Sequence, residues 1–274
     1  MLGLILTIAP ILAPIIGGWI NIIFGWRYIF ILMTLTGFVF LIISYFNIPE
    51  TLKPEKRTAF LLTKLISNYI LIIRNKTAMA YILLLSSTSA VYFSFIAASP
   101  FLYINQFNLS PITYSYIFGL GALIAAFANI LNIKLTSIFG YKRILLWSCL
   151  FIIINAFILL LGGMNFLGRW SFYLSGLLFM GLFHISNANS LTGLMDEFNK
   201  GKGTATALAF FFRFGFGMLG AITVSVFNNG TALPYVFTVL FFSLIAALSG
   251  IFIKILQKNY QKILDKNLLK LCDF

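Results

Sequence analysis

The sequence predicts an all-α membrane protein, a polytopic helical bundle with eight transmembrane helices, and three observations carry that prediction. Hydrophobic residues make up 61% of the 274-residue chain and charged residues only 9%, where soluble domains carry roughly 25% charged residues. Eight long runs contain no Asp, Glu or Lys. The basic residues between those runs gather almost entirely on one side. So few charges cannot cover a water-facing surface, which leaves lipid as the neighbour of most of the exterior.

The runs cover residues 2–24, 28–46, 78–104, 111–133, 144–163, 171–191, 204–227 and 233–253. Their lengths, 19 to 27 residues, match the ~20 residues that cross the hydrocarbon core. Helices follow because lipid cannot satisfy open backbone groups, and barrel strands would alternate over ~10-residue segments. The first run lacks a basic start and leads straight into another span, so it does not read as a cleavable signal peptide.

Charge supplies the orientation. The segments 47–77, 134–143 and 192–203 and the tail after Ile253 hold sixteen Lys and Arg, against Arg27 and Arg169 on the opposite side. The positive-inside rule then makes the chain multi-pass with both termini cytoplasmic. A net charge of +13 would suggest nucleic acid in a soluble protein, but there is too little polar surface here for a basic groove. Membrane lipids are the expected partner instead. Residues 57–77 read as an interfacial amphipathic helix, with Leu61, Leu62, Leu65, Ile66, Tyr69, Ile72 and Ile73 on one face. The tail lysines recur every fourth residue from Lys254, which suits either anionic headgroups or a solvated helix end. Cys149 and Cys272 offer neither a disulfide framework nor a metal-ligand spacing.

The first run contains Ala9, Pro10, Ala13, Pro14, Gly17 and Gly18. Small residues let a neighbouring backbone approach, and prolines remove amide donors and bend the helix. Then come Gly25-Trp26-Arg27 with Phe30, and Pro49-Glu50-Thr51 after the second run. This succession resembles helices five and six of drug:proton antiporters of the major facilitator superfamily, in particular the bicyclomycin- and chloramphenicol-resistance branch. Ser99-Pro100-Phe101-Leu102, Gly140-Tyr141-Lys142-Arg143 and Gly203-Thr204-Ala205-Thr206-Ala207 extend the likeness in order and spacing. The resemblance implies a partial major-facilitator fold lacking the first four of twelve helices. Residues 1–46 would be the last two helices of the N-terminal half, 47–77 the cytoplasmic linker, 78–253 the six-helix C-terminal half and 254–274 a basic tail. It further implies a bacterial inner-membrane exporter of small amphipathic drug-like substrates, coupled to protons in complete members, with alternating access between its halves. No enzyme and no cofactor is implied. The alternatives are a non-functional transporter fragment and, behind it, an intramembrane lipid-handling enzyme, which the six scattered carboxylates and single histidine disfavour.

Four further features are candidates for a transport path. Arg213 lies ten residues into the seventh run, with no Asp or Glu in any run. Such a charge is costly at that depth and calls for a cavity or partner, or else for carbonyl contacts and snorkelling. His184 is the only histidine, with Asn187 one turn later; polar cavity wall and plain structural hydrogen bonding both fit it. Thr88, Tyr92, Phe95 and Ser99 recur at helical spacing in the third run, a stripe equally explained by helix packing. The family resemblance would place the Thr88–Ser99 stripe on its cavity-lining helix seven, and His184 with Asn187 on its helix ten. Gly201-Lys202-Gly203-Thr204 lacks the spacing and the preceding strand of a phosphate loop, and Asp196-Glu197 reads as a helix-end charge pair rather than a metal site.

Overall fold

The computed structural model of the chain describes the backbone of residues 2–47, 62–198 and 201–272, and the side chains of 12–47, 66–198 and 201–259. Its regular elements are α1 (Leu2–Ile23), α2 (Trp26–Asn47), α3 (Leu62–Arg74), α4 (Lys76–Pro100), α5 (Pro111–Phe139), α6 (Tyr141–Gly163), α7 (Trp170–Asp196), α8 (Lys202–Val226) and α9 (Leu233–Cys272). Among the described residues there is no strand. All eight predicted spans are helical, and six described helices are both long and apolar enough to cross a membrane. The other two differ for separate reasons. With 27 residues α7 has the length, but its serines and asparagines lower its hydropathy. The part of α1 with described side chains, Leu12–Ile23, is apolar but short. The chain is an all-α, multi-pass membrane protein.

Local chemistry sets the boundaries. The predicted interfacial helix is present as α3, with residues 57–61 outside the described residues, and it stops before Asn75 rather than running on to Thr77. Asn75 is extended, and its side-chain oxygen accepts from the amides of Thr77 (3.0 Å) and Ala78 (3.1 Å). That satisfies two of the orphan donors at the start of α4. Ser110 caps α5 in the same way through the Thr113 amide, with Pro111 at the first helical position. Gly140, at φ +78°, makes the abrupt link from α5 to α6, a conformation that a Cβ would strain. Near the end of α4, Pro100 has no amide to donate to the Ile96 carbonyl. The Ser99 hydroxyl reaches that carbonyl instead at 3.4 Å, and the chain loosens into a π-helical turn over Phe101–Gln106.

The helix order in space centres on α4, which packs on α8, α9 and α7; α6 lies against α7 and α9, and α5 against α7. Outside this six-helix group, α1 packs along α5 and α2 packs on α1, with no buried residue in α2. The core falls into two levels. Phe95, Tyr103, Phe172, Phe183, Tyr235 and Val236 belong to one apolar cluster. Ile72 of α3 joins Tyr81, Leu84, Leu145, Leu194 and Ile253 in the other, toward the end of the bundle where Lys76 and Lys202 begin α4 and α8 and Lys142 lies in the first turn of α6. There the Gln257 side-chain amide donates to the Tyr81 hydroxyl at 2.8 Å.

Between helices that lipid does not push together, close packing supplies the attraction. A Cβ at Gly220 of α8 would overlap the Ala90 carbonyl oxygen of α4, and one at Gly193 of α7 would overlap the Tyr81 ring. By contrast, Gly215 of α8 has nothing within 4 Å of where a Cβ would stand. Gly220→Ala should therefore cost about 1–3 kcal/mol by overpacking against backbone that cannot move aside. Gly215→Ala should leave stability unchanged or raise it through helix propensity. Thermal unfolding of the two variants in detergent micelles, followed by circular dichroism, checks the contrast; equal melting temperatures would contradict it.

Candidate functional site: a polar and aromatic seam on α4, α7 and α8

The seam begins where α4 meets α7. Thr88 is fully buried, and its hydroxyl donates back to the carbonyls of Leu84 (3.1 Å) and Leu85 (3.0 Å). With its proton occupied, the same oxygen accepts from the Asn187 side-chain amide at 3.2 Å. Asn187 also donates to the Phe183 carbonyl at 3.1 Å, while its own carbonyl oxygen is buried with no partner among the described residues. One turn along α4, the Tyr92 ring lies flat on Phe183 of α7, with centroids 4.1 Å apart and planes 6° apart. His184 stands edge-on to both rings, 5.2 Å from Phe183 and 6.5 Å from Tyr92.

Arg213 reaches the same group from α8. Its guanidinium lies 5.5 Å from the Phe183 centroid, 5.3 Å from Phe210 and 5.7 Å from Phe214. Aromatic faces attract a cation in this range. The Nε atom is buried and has no hydrogen-bond partner among the described residues. Half-buried Arg213 and His184, with Phe214 58% exposed, put this part of the seam at an open face of the helix group.

The rest of the predicted stripe goes elsewhere. Phe95 is buried against Phe118 of α5 and Tyr103, and a Cβ on Gly176 of α7 would meet its ring. Ser99 is fully buried and shares a hydrogen bond of 3.0 Å with the Tyr114 hydroxyl of α5. Thr88 and Tyr92 thus meet Asn187, Phe183 and His184, whereas Phe95 and Ser99 are taken up by packing toward α5. In the proline-glycine run, the side chains of Ala9 and Pro10 lie outside the described residues. Ala13, Pro14, Gly17 and Gly18 sit on α1, which stays helical through the run, and Gly18 lets the Ser115 side chain of α5 approach.

Sequence reasoning missed several members. Phe183, Phe210 and Phe214 are three of 31 phenylalanines, so nothing in the sequence sets them apart. Asn189 donates to the Asn132 side chain at 2.7 Å, joining α7 to α5, and Asn155 donates to the Ser175 carbonyl at 3.0 Å. Their signal was available: an amide inside an apolar run needs a partner. Buried hydroxyls of Ser86, Ser87, Ser186 and Ser190 have no partner among the described residues. Two surface grooves among the described residues lie away from the seam, one of about 510 Å³ between α8 and α9 lined by Thr223, Phe227, Phe237 and Phe241, and one of about 550 Å³ beside α3, α4 and α9. Both are lined mainly by apolar side chains. Asp196 and Glu197 end α7; partial burial raises the Glu197 carboxyl above its usual range, an effect offset in part by Lys142. Among the described residues, no three His, Cys, Asp or Glu side chains come together as a metal site.

The sequence model of the Major Facilitator Superfamily matches residues 1–223. The chain belongs to that superfamily. The Haemophilus influenzae protein named bicyclomycin resistance protein homolog is similar to it, with 27% identity over 235 residues. That match covers 86% of this chain but 59% of the relative, so the chain spans about three fifths of the relative's length. Members of the Major Facilitator Superfamily are transporters, not enzymes, which agrees with a site built from hydroxyls, amides, rings and one guanidinium.

The Thr88–Asn187 bond is the polar tie between α4 and α7 at this level. Thr88→Ala and Asn187→Ala should each destabilise the protein, and a double-mutant cycle should give a coupling of ~0.6 kcal/mol, the usual size of such bonds in membranes. Additive effects of the two substitutions on the unfolding free energy in micelles would mean that the bond contributes nothing.

Proposed function

We propose that the protein is a bacterial inner-membrane exporter of small amphipathic compounds, with the seam of α4, α7 and α8 as its half of the transport path. The observation that carries this is the combination of a bicyclomycin-resistance relative along 86% of the chain with polar and aromatic side chains meeting at an open face of the bundle. Rings such as Tyr92 and Phe183 give a drug apolar area, while Asn187 and His184 orient its polar groups. The six helices α4–α9 are one half of the transporter and α1–α2 belong to the other, in keeping with the way α2 stands clear of that group. Cytoplasmic termini are part of the proposal, supported by the sixteen-to-two distribution of basic residues. Proton antiport is the coupling proposed for the complete transporter. With no acid in any of its spans, a polypeptide of residues 1–274 expressed alone is proposed not to drive proton-coupled export.

Topology is tested with single cysteines in a variant in which Cys149 and Cys272 are replaced by serine. An impermeant thiol reagent added to intact cells should label Asn108→Cys and spare Lys262→Cys; the reverse pattern would invert the orientation. The path itself is tested in the same background with His184→Cys in purified membranes. Bicyclomycin should slow its modification by a small maleimide several-fold, and leave that of Leu178→Cys, on an exposed position of α7, unchanged. Equal rates with and without drug at both positions would remove the seam from the path.

A further inference from the structure

Among the described residues, Arg213 is a guanidinium without a counter-charge. It follows Lys202 by eleven residues, about 17 Å along α8 at 1.5 Å per residue, which is near the middle of a ~30 Å hydrocarbon core. No described span contains a carboxylate, and the nearest described acids in α7 and its cap, Asp196 and Glu197, lie at the far end of that helix. Three rings supply partial compensation, yet rings accept no strong hydrogen bonds, and Nε is left buried without a partner. The planar fork thus lies among rings with its buried Nε unpartnered among the described residues.

We propose that Arg213 is the recognition site for the anionic group of a flat aromatic substrate, taking a carboxylate or its equivalent. This rests on the seam being the transport path and names the substrate class that the path selects. The fork matches a carboxylate through two parallel hydrogen bonds. Phe183, Phe210 and Phe214 hold the fork in place, and Tyr92, stacked on Phe183, offers a surface for the ring that carries the anion. A lipid headgroup is a poor fit, because it would have to leave the interface to reach this depth. Cationic dyes are disfavoured: the fixed charge of the seam has their own sign, and no described residue there neutralises it.

The test uses the whole chain in nanodiscs of zwitterionic lipid, with 2-naphthoate and its neutral amide, 2-naphthamide, as probes measured by equilibrium dialysis. The naphthoate should bind at least tenfold more tightly. Arg213→Gln should abolish that preference, while Arg213→Lys, which keeps charge but not the fork, should retain part of it. Circular dichroism and melting temperatures establish that the variants are folded. Equal affinities in the parent protein would overturn the proposal, and so would a preference that survives Arg213→Gln, which would reassign anion selection to the peripheral lysines. Protection of His184→Cys from maleimide separates the two levels. If naphthamide protects as well as naphthoate, the path stands and anion selection falls; if neither protects, both fall.

Discussion

Hydrocarbon offers no hydrogen bonds, so each polar atom carried into the bundle must find its partner inside the protein. That constraint organises most of what the helices do. Three hydroxyls on α4 turn back on their own helix, Thr88 and Ser89 to Leu85 and Ser94 to Val91, and so cost little wherever they point, whereas those of Ser86 and Ser87 have no partner among the described residues. Amides cannot be satisfied so locally. Asn187, Asn189 and Asn155 reach to another element, to Thr88, Asn132 and the Ser175 carbonyl respectively. These three bonds fix how α7 sits against α4, α5 and α6. Glycines at the same contacts then bring the backbones close enough for dispersion to hold what the hydrogen bonds orient.

The same constraint explains what was legible in the sequence. Lipid imposes apolar runs of fixed length, so all eight runs could be read as helices, and six of the described helices are long and apolar enough to cross a membrane. Interhelical chemistry was less visible. The third run's stripe shares one spacing, but α4 changes neighbours along its length: Thr88 meets α7 and Ser99 meets Tyr114 of α5. Helical periodicity reports a face, not the helix that lies opposite. The Asn75 cap was hidden for another reason. An amphipathic pattern continued across it, and only the extended backbone that lets its side chain accept two amides divides α3 from α4. Arg213 was conspicuous as the one charge inside a span, whereas its ring partners were hidden among many phenylalanines on two helices.

Hydropathy and burial together say more than either alone. A helix whose exterior touches lipid is pressed to be apolar there, so an exposed yet only moderately apolar helix has another neighbour. Among the described spans α2, α6 and α9 are the most apolar, as lipid-facing helices should be. The least apolar set is α4, α5, α7 and α8. Burial accounts for α4, most of whose span is enclosed. It does not account for α5 and α8, which are less buried than α6 and α9 and also less apolar. Those two helices flank the α4–α7 contact on either side, α5 beside α7 and α8 beside α4. α5 carries α1 along part of its surface, which supplies one protein neighbour. The exposed side of α8 carries Arg213 with no such cover among the described helices. The rest of that exposed side is mainly phenylalanine, methionine, leucine and isoleucine. The half-buried Arg213 among Phe183, Phe210 and Phe214 is therefore the feature that sets it apart from a plain lipid-facing surface, and the proposed function rests on it.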